Sequence, residues 1–334
     1  MRSTGLKVQA AMAEEILKEI RRKNCLNRRL RPFSDSGYVY FPLDREIPHL
    51  REMQGEFEFE ERNNEGIRDI LEMILGGRGR RIGWQRIGDA LIFNAGSGIS
   101  EKVCEAICSE IEIGQIYEIQ GKIGGESRKP EIRLIYGNAH ETSYRENGVN
   151  FILNPMSVML SKGNIVERGI PYPELKNPRR VLDMFSGIGY FSLPLGRKFT
   201  LETMTCVDIN NDALGYLKKS YEASGFKFEL ILENRDCRDI STGGKFDTII
   251  MGNFKSLNYL PHALSHAADQ CSIILHHLEP SDSISRADYE IMRKCSHLGY
   301  SAGVIDSHMV KSYSPHMWHI STLINVRRKA FDKI

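Results

Sequence analysis

The densest group of residues able to do chemistry is Asp183-Met-Phe-Ser-Gly187-Ile-Gly189, followed nineteen residues later by Asp208 and further on by Glu233-Asn234. A Gly-x-Gly at a strand-to-helix turn lets a ligand approach the backbone where a Cβ would collide. An acid that closes the next strand can accept both hydroxyls of a ribose. Taken singly, each feature is common in α/β proteins, where glycines close turns and acids cap strand ends. Their conjunction over successive strand ends fits an adenosine held across three adjacent tips. A dinucleotide fingerprint needs a further glycine three positions after Gly189, where Ser192 stands, and no GxxxxGK[ST] occurs. An adenosine ligand without pyrophosphate therefore fits better, and S-adenosyl-L-methionine is the commonest of these.

The elements that must position this group follow an alternating grammar after about residue 180. Val181 to Met184 reads as a strand, Gly187-Ile-Gly189 as a turn and Tyr190 to Arg197 as the start of a helix. Strands follow at Met204 to Ile209, Glu229 to Glu233, Thr248 to Met251 and Ser272 to Leu275, with a helix over Asp212 to Ala223. Short apolar runs separated by helices predict an α/β, doubly wound, mainly parallel sheet with its ligand at the carboxyl ends of the strands. Upstream, Met12, Ile16 and Ile20 mark an amphipathic helix over Ala10 to Lys23, and Tyr38 to Phe41 a strand stopped by Pro42. Residues 53–64 are too acidic to read as core and are expected to be a linker or an exposed helix. Ile87 to Phe93 and Arg133 to Tyr136 are strand candidates, Val103 to Ile111 a helix, and Gly121 to Pro130 a basic loop. The expected organisation is a small α/β unit at 1–75, an α+β middle domain at 76–150 and a catalytic domain at 151–334.

The chain has 334 residues, 41% hydrophobic and 26% charged, enough to bury a substantial core. This excludes a disordered chain, and no apolar run approaches the roughly 20 residues that span a bilayer. The first residues lack an apolar leader segment, so a cytoplasmic location is expected. Seven scattered cysteines, without a CxxC pair, support neither a zinc knuckle nor a disulfide framework. The nearly even balance of 45 basic and 43 acidic residues hides a pattern. Residues 1–32 carry nine Lys or Arg against three Glu, residues 51–75 eight acids against three Arg, and then Arg78, Arg80, Arg81 and Arg86 follow. Such basic patches suit a phosphate backbone, although a charge run is more often a solvated surface.

The sequence VLDMFSGIGYFSLPL, with SKGNIVERGI at 161–170, ENRD at 233–236 and YSPHMWHI near the end, resembles the superfamily that pairs two tRNA enzymes. One is the tRNA guanine-N1 methyltransferase acting on the guanosine 3′ of the anticodon. The other is the wybutosine-synthesizing aminocarboxypropyltransferase acting at the same nucleotide. The resemblance covers about residues 81–326, and more loosely the N-terminal unit. It implies a Rossmann-like class I methyltransferase fold, with smaller N-terminal α+β units. In the methyltransferases the fourth strand ends in Asn-Leu-Pro or a close relative and the glycine turn tends to read GVGPF. Here the strand ends Met251-Gly252-Asn253-Phe254 and the turn reads Gly187-Ile-Gly-Tyr190-Phe191. The aminocarboxypropyltransferases favour GIGYF and a glycine in place of that asparagine, so aminocarboxypropyl transfer to 4-demethylwyosine of tRNA-Phe is the expected reaction. A one-position slip to Asn253 would restore the methyltransferase pattern. Methylation and a non-catalytic tRNA-binding protein are the alternatives.

By the same resemblance, Ser161 and Arg168 should face the methionine end of the cofactor, where the bland alternative for Arg168 is a surface arginine. Asp183, Gly187 and Gly189 form the turn, Asp208 should bind the ribose, and Glu233 and Asn234 should lie beside adenine. The family usually has Glu at the Asp208 position and Asp-Asn at 233–234. Arg21, Arg22, Lys23, Arg28, Arg29, Arg78, Arg80 and Arg81 are candidates for phosphate contacts with the anticodon region of tRNA. Tyr190, Phe191 and Trp318 could stack on a base or pack in the core. A sulfonium is already a good leaving group, so positioning is expected to dominate and no catalytic residue is singled out. His316 and His319 lack a third ligand in the sequence, so no metal is expected. Nothing implies an oligomer, and a monomer is the expectation.

Overall fold

The computed structural model describes residues 1–9, 12–23, 25–27, 30, 32–60, 67–75, 82–121, 130–159, 164–170, 172–175, 177–280 and 283–329, the side chains of 14, 18, 21, 22, 284 and 285 apart. The chain forms two compact units, Met1–Arg81 and Ile82–Ile334.

In the first unit, β1 (Arg2–Gln9), β2 (Phe33–Asp35), β3 (Tyr38–Pro42) and β4 (Gln54–Glu58) make an antiparallel sheet in the order β2-β3-β1-β4. The helix α1 (Ala13–Arg22) lays Ile16 and Ile20 on Leu6, Val8 and Phe41, and α2 (Ile67–Leu75) follows the sheet in the chain. Over Gln54–Glu58 the structure corrects the expectation of a linker or exposed helix at 53–64, of which residues 61–64 lie outside the described residues. Glu56 and Glu58 alternate with the half-buried Phe57 along β4, which pairs with β1 through Thr4↔Glu56 and Arg2↔Glu58. An edge strand keeps its acids on the solvent side, so the charge concealed the period of two.

In the second unit, β5 (Trp84–Ile87), β6 (Ala90–Phe93), β7 (Gln115–Ile119) and β8 (Ile132–Gly137) form a four-stranded sheet with α3 (Glu101–Glu110). The run expected as one strand at 87–93 is a hairpin. It turns at Gly88, whose φ is +55° and where a Cβ would stand 2.2 Å from Thr142 Oγ1. A second hairpin joins β9 (Thr142–Glu146) to β10 (Val149–Leu153), and the short α4 (Ile165–Arg168) follows. Ile87, Ala90 and Tyr117 of the four-stranded sheet share one core cluster with Phe151, Leu193 and Leu217 further along the chain.

The alternating grammar of the second half yields β11 (Arg180–Asp183), α5 (Ser192–Lys198), β12 (Thr203–Asp208), α6 (Asn211–Ala223), β13 (Glu229–Asn234), β14 (Phe246–Met251), α7 (Ser256–His266), β15 (Ala267–Pro280), α8 (Ile284–His297), β16 (Tyr300–Ser314) and β17 (Met317–Arg328). Seven strands form one sheet in the order β13-β12-β11-β14-β15-β17-β16. The first five are parallel, and β17 runs antiparallel to both β15 and β16. One face buries Val181, Met204, Leu214 and Leu217, the other Leu182, Ile249, Leu260, Ile273 and Ile291. Burial on both faces is why these strands read as continuous apolar runs. The strand order reverses direction at β11, with β12 on one side and β14 on the other, and such a switch point opens a crevice at the carboxyl ends. No helix among the described residues is long and apolar enough to cross a membrane.

Candidate functional site

The glycine turn sits at the mouth of that crevice. Gly187 has φ +53° and nothing stands within 4 Å of where its Cβ would be, so the space above it is open to a ligand. Gly189 has φ +87° for a different reason: a Cβ there would meet Leu193 Cγ at 2.7 Å and Leu217 Cγ at 3.1 Å, so its lack of a side chain lets the turn close onto the core.

Asp208 ends β12 beside this turn. Its Oδ2 accepts the Gly187 amide at 2.7 Å and its Oδ1 the Asn210 amide at 2.8 Å. A carboxylate offers about four acceptor sites. Asn210 in turn caps α6, its side chain accepting from the amides of Asp212 and Ala213. Asn234 is the register partner of Asp208 across β12 and β13, and its Nδ2 donates to the Asp208 carbonyl at 3.0 Å. Gly187, Asp208 and Asn234 are thus brought together.

Asp183 lies beneath the turn, fully buried. Ser192 Oγ donates to it at 2.7 Å and the Phe185 amide at 3.2 Å, and burial pushes its carboxyl up to about 7. It holds the turn from below. Glu233 is on the opposite side of β13 from Asn234, as alternation requires. Its carboxylate accepts the amides of Ser241 and Thr242 at 3.0 and 2.9 Å and both their hydroxyls, and it pairs with Arg235 at 2.9 Å. Burial raises its pKa, but those donors outweigh burial and hold it below the usual range. The structure therefore commits Glu233 to the 241–242 loop. The next acid, Asp236, binds the Arg238 guanidinium at 2.7 and 2.8 Å, which lowers it to about 2.

Arg168 is 1% exposed, which removes the surface-arginine alternative. Its Nη2 donates to Glu146 Oε2 at 2.8 Å, its Nε lies 2.7 Å from Oε1, and its guanidinium stacks 4.7 Å from the centre of the Tyr190 ring. Tyr190 donates to the Met159 carbonyl and packs on Phe151. The arginine is therefore tied to both the β9–β10 hairpin and the residue after the glycine turn. Phe191 packs on the ring of His276 at 4.6 Å, and a Cβ at Gly252 would meet the Phe191 ring at 3.1 Å. Asn253 Oδ1 accepts the Lys255 amide at 2.9 Å, a local turn at the start of α7. Ser161, Arg28, Arg29, Arg78, Arg80 and Arg81 lie outside the described residues, as do the side chains of Arg21 and Arg22. Lys23 sits in the other unit, 2.9 Å from Glu19 and 3.3 Å from a ring nitrogen of His49.

Sequence reasoning missed a buried polar cluster behind Phe191. The Glu167 carboxylate, 3% exposed, accepts from Ser321 Oγ at 2.6 Å, Tyr172 OH at 3.3 Å and His308 Nε2 at 2.8 Å. His308 is held protonated by Glu167, up to about 9, and that pairing outweighs burial to keep the Glu167 carboxyl below the usual range. His276 and His319 hydrogen-bond to each other at 2.8 Å, and burial lowers them to about 4 and about 3. The signal lay in histidines on β15 and on β17, two strands whose pairing no local pattern announces. Among the described residues no group of three or more His, Cys, Asp or Glu is placed to hold a metal ion.

Comparison with known proteins adds relatives to this geometry. Residues 142–301 match the TRM5/TYW2 methyltransferase domain and residues 5–50 the tRNA methyltransferase 5 N-terminal domain. The chain is 27% identical over 242 residues to the tRNA(Phe) (4-demethylwyosine(37)-C(7)) aminocarboxypropyltransferase of Pyrococcus horikoshii, covering 71% of this chain and 86% of that protein. It is 22% identical over 344 residues to the tRNA (guanine(37)-N(1))-methyltransferase Trm5b of Methanocaldococcus jannaschii, covering 97% of this chain and 99% of that one. The crystal structure of M. jannaschii TYW2 in complex with AdoMet superposes with a TM-score of 0.59 at 25% identity, covering 74% of this chain and 100% of the other.

Proposed function

We propose that this chain, which belongs to the TRM5/TYW2 superfamily, moves the 3-amino-3-carboxypropyl group of S-adenosyl-L-methionine onto 4-demethylwyosine at the guanosine 3′ of the tRNA-Phe anticodon. The residues suit the cofactor. Open space over Gly187 admits the adenosine, Asp208 and Asn234 meet it with acceptors and an amide at the strand tips, and Arg168 supplies a buried cation for the carboxylate of the methionine chain.

The observation that carries the choice of reaction is Gly252. The methyltransferase pattern ends this strand with an asparagine, and here the corresponding place is a glycine whose missing side chain is filled by the Phe191 ring. Asn253 is spent on the α7 turn and does not restore that asparagine. The sulfonium has two electrophilic carbons within reach of an acceptor, the methyl and the γ-carbon, and orientation decides between them. In the proposed reaction a carbon of the tricyclic base attacks the γ-carbon, the sulfur–carbon pair returns to sulfur, and 5′-methylthioadenosine leaves. Arg168, clamped between Glu146 and Tyr190, fixes the carboxylate and so the γ-carbon. Arg21, Arg22 and Lys23 on and just after α1, together with the arginines at 28, 29, 78, 80 and 81, are the proposed phosphate contacts, and the protein acts as a monomer.

The test uses precursor tRNA with S-adenosylmethionine labelled in either the carboxyl carbon or the methyl group. Carboxyl label entering tRNA supports the proposal. Methyl label would replace it with guanine methylation, and no label with a tRNA-binding role.

A further inference from the structure

The His276–His319 pair holds more polar capacity than its surroundings use. Both rings are 1% exposed, and His276 Nε2 and His319 Nδ1 are buried without a hydrogen-bond partner. The pair stands beside the proposed reaction site: His276 follows Leu275, the register partner of Met251, and so lies level with Gly252, and its ring meets Phe191. Phe254 stands edge-on to His319 at 4.9 Å and packs at 5.3 Å on Tyr313, which is 56% exposed. An aromatic rim thus links His319 to the surface, of the kind a nucleotide base stacks on.

The tautomers of the pair are set by charge. One proton lies between His276 Nδ1 and His319 Nε2, and both rings are neutral because burial lowers them to about 4 and about 3. If His276 donated that proton, its Nε2 would present a bare lone pair to the Glu167 carboxylate oxygen 3.9 Å away, two acceptors face to face with no proton between them. If His319 donates, His276 carries its own proton on Nε2, towards the carboxylate. The second arrangement is favoured, and it leaves His319 Nδ1 as a bare, buried acceptor. His308 and His277 also act on His276, and Lys311 and His277 on His319, each disfavouring added positive charge on the pair.

We propose that His319 Nδ1 accepts the proton released from the reacting carbon of the tRNA base, with His276 and Glu167 as the positioning residues that keep this nitrogen bare; this rests on the aminocarboxypropyl-transfer reading. The balance requires such an acceptor. The carbon–carbon bond forms as the sulfur–carbon bond breaks, the positive charge passes from sulfur to the tricycle, and the tricycle regains its conjugation by losing its hydrogen as a proton. The cationic intermediate is a strong acid, so a neutral imidazole of low basicity suffices. The proton enters at His319 Nδ1, and the proton on Nε2 passes to His276 Nδ1, carrying the charge towards Glu167. The base reaches His319 by displacing the Phe254 ring.

The decisive comparison is single-turnover transfer of carboxyl label by the wild type and His319→Phe, with hydrogen or deuterium on the reacting carbon. The variant should be at least about a hundredfold slower, the usual size of a lost proton acceptor, with S-adenosylmethionine affinity within twofold of wild type. Deuterium, silent in the wild type, should slow the variant, because proton loss becomes limiting; a purely structural role would not produce that isotope effect. A rate within threefold of wild type, or a slow variant without an isotope effect, overturns the proposal. Independently of any variant, ¹⁵N spectra of the wild type should show His319 Nδ1 unprotonated and His276 Nε2 protonated, and the reverse tautomers would contradict it. A wild type that transfers no carboxyl label would instead refute the reaction itself.

Discussion

At the scale of single residues, the two glycines of the turn make separable predictions. Gly189→Ala places a methyl 2.7 Å from Leu193 Cγ in a left-handed backbone, so overpacking adds to conformational strain. A loss of about 2 to 4 kcal/mol of stability is expected in urea unfolding. Gly187→Ala meets no atom within 4 Å and should lose only about 1 kcal/mol, yet its methyl enters the space given to the cofactor. Its calorimetric affinity for S-adenosylmethionine should therefore fall at least tenfold, and equal effects of the two variants on affinity would contradict this division. Asp208→Ala removes the partner of the Gly187 amide as well as the proposed ribose acceptor. Loss of hydrogen bonds to a charged group costs about 1.5 to 3 kcal/mol, so affinity should drop by tenfold or more. Unchanged affinity would take Asp208 out of the site.

At the scale of elements, the histidines on β15–β17 give this sheet edge a pH dependence of known sign. His276, His277 and His319 have folded values near 4, 4 and 3 against 6.5 unfolded, so the unfolded chain takes protons first and stability falls as pH drops below 6.5. His308 is raised to about 9, so its stabilisation is complete below 6.5 and is lost as pH rises towards 9. Denaturant unfolding at pH 5, 7 and 9 should find the maximum near neutrality, and His308→Gln should flatten the alkaline limb alone. The parallel half of this sheet was legible in the sequence because β11, β12, β13 and β14 are short apolar runs, with α5 and α6 between the first three. The β16–β17 hairpin was not, because β16 is only partly buried and bulges near Val304, Met309 and Ser312, while the buried run of β17 mixes the polar His319, Ser321 and Thr322 among its apolar residues. The site divided the same way. The glycine turn, Asp208 and Asn234 are contiguous with strand ends and could be read, whereas the partners of Glu233 lie in a loop eight residues on, and the Glu167 cluster depends on pairings up to 154 residues apart.

At the scale of the whole molecule, the nearly neutral charge balance conceals a basic start, and its proposed role is electrostatic. Replacing Arg21, Arg22 and Lys23 with neutral residues should weaken tRNA binding and lower the slope of log affinity against log salt by roughly 0.7 to 0.9 for each phosphate no longer neutralised. An unaltered slope would return that run to solvated surface. The central claim is that one cradle for S-adenosylmethionine serves a transfer from its γ-carbon. Identifying the nucleoside released in a single turnover on precursor tRNA tests it most directly, because the by-product records which sulfur–carbon bond broke. The account predicts 5′-methylthioadenosine in step with tRNA modification, and release of S-adenosylhomocysteine would contradict it.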